Sequence, residues 1–431
     1  MSSGQPSKQR IVVIGGGFAG IYLVKHLDRR LYDVILVDSN NYHSFPPLFY
    51  QIASAGLDPA SIAFPFRREM RKLHPLPSYH IGEVRHIDTS EKTVTTQYET
   101  IHYDRLVIAA GTRNNFFGMP SLDKYVFTIK RTSEALRCRN EILDRFERAA
   151  ICRDSAMRRK LLSFVVVGGG PTGVEIAGAL GEMKRYLLKR EYPSISPDEM
   201  SITLVEGSDR LLQTMSRSAS EYALKALTRL MVDVQTDRRM QSYTDNVITF
   251  ADGGTIYSGM VIWTAGVTSV SFEVKGTPLQ LGHGGRIIVD EFNRAAGLGD
   301  SVMAIGDIAL HTSDTYPAGC PQLAQVAIQQ ARTLARNLNR GVWDKTFSYR
   351  DKGSMATIGR GRAVADLPHL HLKGWLAWMA WMFVHLISIL GMRNKVAVLV
   401  NWTWAYFTYP TSLRLLIHPE RYPLRHRWGE S

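Results

Sequence analysis

Ile11-Val-Val-Ile14 runs into Gly15-Gly-Gly17-Phe-Ala-Gly20 and, one helix later, into Val34-Ile-Leu-Val-Asp38. The same order returns as Phe164-Val-Val-Val167, Gly168-Gly-Gly170-Pro-Thr-Gly173 and Ile202-Thr-Leu-Val-Glu206. Each copy reads as a buried strand, a glycine turn that opens a helix, and a second strand ending in a carboxylate. Gly15 and Gly168 make the tight strand-to-helix bend. Gly17 and Gly170 let the backbone approach a ligand's phosphates, and Gly20 and Gly173 allow close helix packing. The helix N-terminus favours the phosphate charge. Asp38 and Glu206 fall where a carboxylate accepts hydrogen bonds from a ribose diol and repels a 2′-phosphate.

A lone turn of this kind also occurs as a plain strand-to-helix link. Two full copies, each with strand, helix and acid, predict two dinucleotide sites, one for a resident cofactor and one for a nucleotide that exchanges. The first unit runs to a strand ending in Ala110-Gly111, the second to one ending in Ala265-Gly266, and a later strand ends in Gly306-Asp307. That order is expected when one nucleotide domain is inserted into another. The predicted class is α/β: two Rossmann-like dinucleotide-binding domains, the second inserted in the first, plus a C-terminal helical membrane-anchoring region. The expected divisions are 1–125 and 286–345 for the first domain, 126–285 for the second with its connecting helix (Thr132 to Lys160), and 346–431 for the anchor.

The chain has 431 residues, enough for two or three domains, and is 45% hydrophobic, which excludes a disordered chain. The three cysteines, Cys138, Cys152 and Cys320, are too scattered for a disulfide framework, a zinc site or a redox dithiol. No metal site is expected. The net charge of +13 is spread along the chain with no nucleic-acid motif, so an anionic membrane surface is the expected partner and nucleic acid is not. The N-terminus is polar, with neither a signal peptide's apolar core nor an Arg-rich presequence, and the bulk of the protein is expected in the cytosol.

Three further stretches narrow the family. Asn41-Tyr-His-Ser-Phe-Pro-Pro-Leu-Phe-Tyr-Gln-Ile-Ala-Ser-Ala-Gly-Leu57, Pro321-Gln-Leu-Ala-Gln-Val-Ala-Ile-Gln-Gln330 and Lys352-Gly-Ser-Met-Ala-Thr-Ile-Gly-Arg360 resemble the type II NADH dehydrogenases, within the two-dinucleotide-binding flavoproteins. The resemblance runs from about Arg10 to about Tyr409; the basic tail from Thr411 departs from it. It implies FAD at the first unit, with Asp307 on the ribityl chain, and NADH as substrate at the second. Glu175 is then placed near nicotinamide and flavin, and the helix after Pro321 is aimed at the flavin pyrimidine. Gln325 and Gln329, four apart on one helix face, become candidates for hydrogen bonds to quinone carbonyls, with Lys352 nearby.

Gly374 to Met392 is uncharged apart from any charge on His385, and Val396 to Pro410 is uncharged again. The first stretch meets the length rule for a spanning helix. Trp375, Trp378 and Trp381, followed by Trp402, Trp404, Tyr406 and Tyr409, favour a segment lying in the interface, with Arg414, Arg421, Arg425 and Arg427 on anionic headgroups. His385 reads as a satisfied core histidine. The expected protein is a peripheral, cytoplasmic-side, FAD-dependent NADH dehydrogenase that reduces a membrane quinone without pumping protons, with a homodimer as a further expectation. Its rivals are a soluble reductase with a protein acceptor, a sulfide:quinone oxidoreductase, disfavoured by the lack of paired cysteines, and a flavin-binding membrane signalling protein.

Overall fold

A computed structural model describes residues 8–119, 122–408 and 414–416. The first glycine turn joins β1 (Gln9–Ile14) to helix α1 (Phe18–His26), and the chain continues through β2 (Tyr32–Asp38), β3 (Ser78–Ile81) and β4 (Arg105–Ile108). Next come β5 (Phe127–Thr128) and α2 (Thr132–Ile151). The second glycine turn lies between β6 (Ser163–Val167) and α3 (Pro171–Glu182), followed by β7 (Ser201–Val205), β8 (Asp233–Gln235) and β9 (Met260–Trp263). The chain then returns through β10 (Val302–Ala304) and α4 (Ala324–Arg340).

Two five-stranded parallel sheets result, with the same spatial order: β10-β4-β1-β2-β3 and β5-β9-β6-β7-β8. In both, the fingerprint strand is central and the strand order reverses beside it, where an open parallel sheet leaves a crevice at its carboxyl edge. The outer strands record the insertion. β10 comes back after the second unit to join the first sheet, while β5 precedes the second fingerprint. Both faces of β1 and β6 are covered, so neither strand alternates: Ile11, Val12, Val13 and Phe164, Val165, Val166 are all apolar and almost fully buried. α1 lies along α4, with Ala19 and Leu23 in one core with Ala327, Ala331 and Leu334. An antiparallel ribbon of Thr112–Asn114 with Val267–Ser269 ties the two Ala-Gly exits together.

The expected connecting helix is two helices, α2 and a second one at Ser155–Leu161. Asp154 caps the second through its bond from the Ala156 N–H. The C-terminal region also differs from a purely helical anchor. An antiparallel sheet of β11 (Ser354–Thr357), β12 (Ala363–Leu367) and β13 (Leu370–Gly374) precedes α5 (Trp375–Ser388) and α6 (Met392–Thr408). The uncharged run is broken at Ile389–Gly391, where Gly391 has φ 76°. Among the described residues, no helix is long and apolar enough to cross a membrane. Tyr409, Arg421, Arg425 and Arg427 lie outside the described residues, as does the Tyr406 side chain.

Candidate nucleotide and electron-transfer site

The two glycine turns are built alike. Gly15 has φ +96° and a Cβ there would stand 2.5 Å from the Ala109 carbonyl oxygen. Gly168 has φ +111° and its Cβ would stand 2.8 Å from the Ala265 nitrogen. Each Ala-Gly strand end, Ala110-Gly111 and Ala265-Gly266, therefore walls the back of a turn that only glycine fits. At Gly17 and Gly170 a Cβ would meet nothing within 4 Å, and both residues begin a helix with no side-chain cap. No side chain caps the first turns of α1 and α3, and the space beside their leading glycines is open, as an anion site requires. A Cβ on Gly20 or Gly173 would collide with the carbonyl of Gly15 or Gly168, the close packing expected of the third glycine.

The two acids occupy corresponding places. Asp38 accepts from Gly16 N at 2.7 Å and from Asn40 N at 2.7 Å. Glu206 accepts from Gly169 N at 2.5 Å, from Ser208 N at 2.8 Å and from the Ser208 hydroxyl. Each carboxylate therefore braces the middle glycine of its own turn. Burial pushes the Asp38 carboxyl above the usual range, opposed by the Gly16 and Asn40 hydrogen bonds.

Asp307 lies in a single turn after β10. Gln330, buried on α4, holds that turn by accepting from Gly306 N at 2.7 Å, and itself donates to Asn293 Oδ1 at 2.9 Å. Gln322 Nε2 donates to the Asp307 carbonyl at 3.0 Å. Burial raises the Asp307 carboxyl, opposed by Lys130, Arg286 and the Thr112 hydroxyl, and it makes no ion pair within 4.0 Å among the described residues. The first crevice thus offers an uncapped helix end, a space beside Gly17 and a buried polar carboxylate. These features fit the pyrophosphate, ribose and polyol of FAD. Gln330 closes the family-like stretch from Pro321, but no sequence signal gave it, Thr112 or Lys130 a role: the last is one of 52 Lys and Arg residues.

Glu175 is buried on α3, and burial pushes its carboxyl well above the usual range, opposed by the Thr357 N–H, which donates to Glu175 Oε1 at 3.4 Å. Thr357 Oγ1 shares a hydrogen bond with the Tyr50 hydroxyl at 2.9 Å. Gln51 Nε2 donates to that hydroxyl at 3.0 Å, and Trp402 Nε1 donates to Gln51 Oε1 at 2.9 Å. A polar chain therefore leads from the α3 acid to α6.

Gln325 and Gln329 share a face of α4, and both grip the backbone ahead of β11. Gln329 accepts from Arg350 N at 3.0 Å and donates to the Arg350 carbonyl at 2.9 Å, a closed two-point clamp. Gln325 accepts from Lys352 N at 3.0 Å, while its donor side reaches the Gly353 carbonyl at 3.2 Å and Asp351 at 3.4 Å. The Lys352 side chain is exposed and its backbone N–H is what Gln325 holds.

A cavity of about 170 Å³ lies between Tyr50, Thr357, Glu182 and the indoles Trp378, Trp381 and Trp402. Trp381 is 1% exposed and stacks on His385 with ring centroids 4.1 Å apart. His385 Nδ1 bonds the Trp381 carbonyl at 2.7 Å, and burial drives its pKa down to about 4, so the neutral ring belongs to the packing. The opposite side of these helices is bare: Leu376, Phe383 and Ile387 of α5 and Val396, Val400 and Trp404 of α6 are all more than half exposed.

The comparisons agree with this architecture. The family described as "Pyridine nucleotide-disulphide oxidoreductase" matches residues 9–331, and "NDH2 C-terminal domain" matches residues 352–408. The Type II NADH:quinone oxidoreductase NdhA of Mycobacterium tuberculosis is 34% identical, over 93% of this chain and 89% of the relative. The Ndh protein of the same organism is 32% identical over 94% and 89%. The solved structure of NDH2 from Plasmodium falciparum in complex with NADH shares the fold, with a TM-score of 0.86 at 23% identity over 95% of this chain and all of that one. Matched by one family model over both glycine-turn sheets and by the other over its C-terminal module, the chain belongs to the type II NADH:quinone oxidoreductases, a branch of the pyridine nucleotide-disulphide oxidoreductase family.

Proposed function

We propose that this protein carries FAD in its first crevice, takes two electrons from NADH bound in the second, and passes them to a membrane quinone without pumping protons. The observation that carries the proposal is the pair of like-built crevices joined by the Thr112–Asn114 ribbon, with an aromatic C-terminal module beside them. Bound FAD would supply the hydride acceptor and the two-electron donor. The chain's own residues bind, orient and shield. The N-terminus of α1 at Gly17 holds the FAD pyrophosphate, Asp38 the adenosine ribose and Asp307 the ribityl hydroxyls. Gly170 and Glu206 do the same for NADH, and Ala110, Gly111, Ala265 and Gly266 floor the two sites.

The overall reaction consumes NADH, one proton and quinone, and yields NAD⁺ and quinol. Hydride carries one proton, so a second must be supplied. Glu175, whose burial pushes its carboxyl well above the usual range, is the group we assign to hold a proton beside the nicotinamide. Of the two amides, Gln325 is the better acceptor contact. Both amides accept a backbone N–H at 3.0 Å, but the Gln325 donor bonds to Gly353 and Asp351, at 3.2 and 3.4 Å, are longer than the 2.9 Å bond that closes Gln329 on Arg350. The bare apolar sides of α5 and α6 would rest in the interface of a bilayer, which brings a lipid-soluble quinone to the site without passage through water. Steady-state turnover with NADH and a short-chain quinone tests the proposal. A signalling protein would be reduced once and stall, and a reductase for a protein acceptor would ignore the quinone.

A further inference from the structure

Three chain segments meet at Asp307: the strand end after Gly111, the lead into α2, and the return after β10. Each contributes a polar side chain, namely Thr112, Lys130 and Asp307. Lys130 Nζ donates to Thr112 Oγ1 at 2.5 Å. Its backbone is pinned by Glu134 in the first turn of α2, whose Oε2 accepts from Lys130 N at 2.9 Å and from the Thr128 hydroxyl at 2.8 Å. The ammonium is therefore aimed by a fixed loop. Among the described residues it has no carboxylate within 4.0 Å. Burial lowers its pKa, opposed by Asp307 and Glu134.

The buried cation nearby, Arg286, is already used. Its Nε and Nη2 donate to the Ala309 carbonyl at 3.1 and 2.6 Å, and Nη2 donates to the Cys320 carbonyl at 2.9 Å. Arg286 thus ties the Asp307 turn to the start of α4. The Lys130 side chain bridges only to the Thr112 hydroxyl. Among the described residues its Nζ makes one hydrogen bond, to that hydroxyl, and the side chain is partly buried beside the Asp307 turn. A partly buried ammonium, while protonated, lowers the energy of whatever gains negative charge next to it.

We infer that Lys130 is a positioning and electrostatic residue that sets the reduction potential of the cofactor bound at Asp307, by favouring its reduced, negatively charged form. This rests on the assignment of FAD to the first crevice. At the separation of a pocket neighbour, one unit charge in partly buried surroundings changes the two-electron equilibrium by on the order of tenfold. Tenfold corresponds to about 30 mV for two electrons. Thr112 and Glu134 aim the charge, so Thr112→Val perturbs the aim while leaving the charge in place.

The experiment is the midpoint potential of the bound flavin in the purified full-length protein, by photoreduction with an equilibrating dye. Lys130→Met is expected to lie about 30 mV more negative than wild type, and Lys130→Arg close to wild type. An unchanged potential in Lys130→Met would overturn the proposal. If Lys130→Met loses its flavin, the wild-type pH dependence decides. One proton per two electrons gives a slope of about 30 mV per pH unit and supports a charged reduced form; two protons give about 60 mV and overturn it. A wild-type protein that is colourless and takes up no FAD would instead refute the assignment of the crevice itself.

Discussion

Glu206→Gln removes a charge from the second crevice while keeping its shape. The carboxylate accepts three hydrogen bonds, from Gly169 N, Ser208 N and the Ser208 hydroxyl. The amide keeps one acceptor oxygen, so the turn loses one charge-assisted bond outright. Such a bond contributes about 1.5–3 kcal/mol against 0.5–1.5 for a neutral one, so NADH binding should weaken by about 1–2 kcal/mol, roughly 5- to 30-fold. The cofactor preference moves by a different amount. A carboxylate about 5 Å from a 2′-phosphate charge is repelled by about 3 kcal/mol at an effective dielectric of 20, and by under 1 in water. Glu206 is half-buried, so the ratio of kcat/KM for NADH to that for NADPH should fall by about 5- to 150-fold, equivalent to about 1–3 kcal/mol. Loosening of the turn affects both substrates equally and cancels in that ratio. Ser208→Ala is the control: it weakens both without changing the ratio. Initial rates with a saturating short-chain quinone provide the assay. A ratio within twofold of wild type in Glu206→Gln would refute the claim that this acid reads the ribose.

The other predictions concern the acid, the amides and the aromatic module. Glu175 binds its proton more tightly in the folded chain than at its ordinary value of 4.5. Its contribution to stability is therefore complete below pH 4.5 and declines as pH rises toward the folded pKa, because the native state then holds protons that the unfolded state releases. Glu175→Gln should melt higher than wild type at pH 7–8 and equal to it near pH 4, and an identical difference at both would contradict the upward shift of its carboxyl. Gln325→Leu should slow reoxidation by quinone at least tenfold in stopped flow with reduction by NADH unchanged, whereas equal loss of both steps would remove it from the acceptor site. Gln329→Leu breaks two bonds of the Arg350 clamp at about 1 kcal/mol each, and should lower the melting temperature more than it lowers turnover; the reverse ranking would make Gln329 the acceptor contact. Trp381→Ala empties a fully buried site, a loss of about 3–5 kcal/mol, seen as a fall in the denaturant midpoint; a loss under 1 kcal/mol would show that α5 is not anchored there.

Much of the layout was legible because it rests on local chemistry. A positive-φ turn against a neighbouring strand demands glycine at Gly15 and Gly168, and a twice-covered strand demands unbroken apolar runs, so both crevices and their order could be read directly. Long-range pairings left no such trace. Lys130 meets Thr112 and the Asp307 turn only because the chain leaves one domain and returns to it, and no spacing rule links those positions. The amides at Gln325 and Gln329 were visible as a helical face, but their partners at Arg350 to Gly353 belong to a coil whose position is set by β11. The uncharged run at Gly374 to Met392 met the length rule for a span, and the break at Gly391 with the burial of Trp381 shows where that rule fails. Hydropathy does not register a turn that folds two shorter helices back onto the protein.

Electron flow from NADH through a bound flavin to quinone is tested most directly by double-mixing anaerobic stopped flow of the purified full-length protein, with NADH first and a soluble quinone second. NADH should bleach the flavin absorbance, and quinone should restore it rapidly. Bleaching with no return would contradict quinone as the acceptor, and a spectrum indifferent to NADH would contradict the assignment of the second crevice.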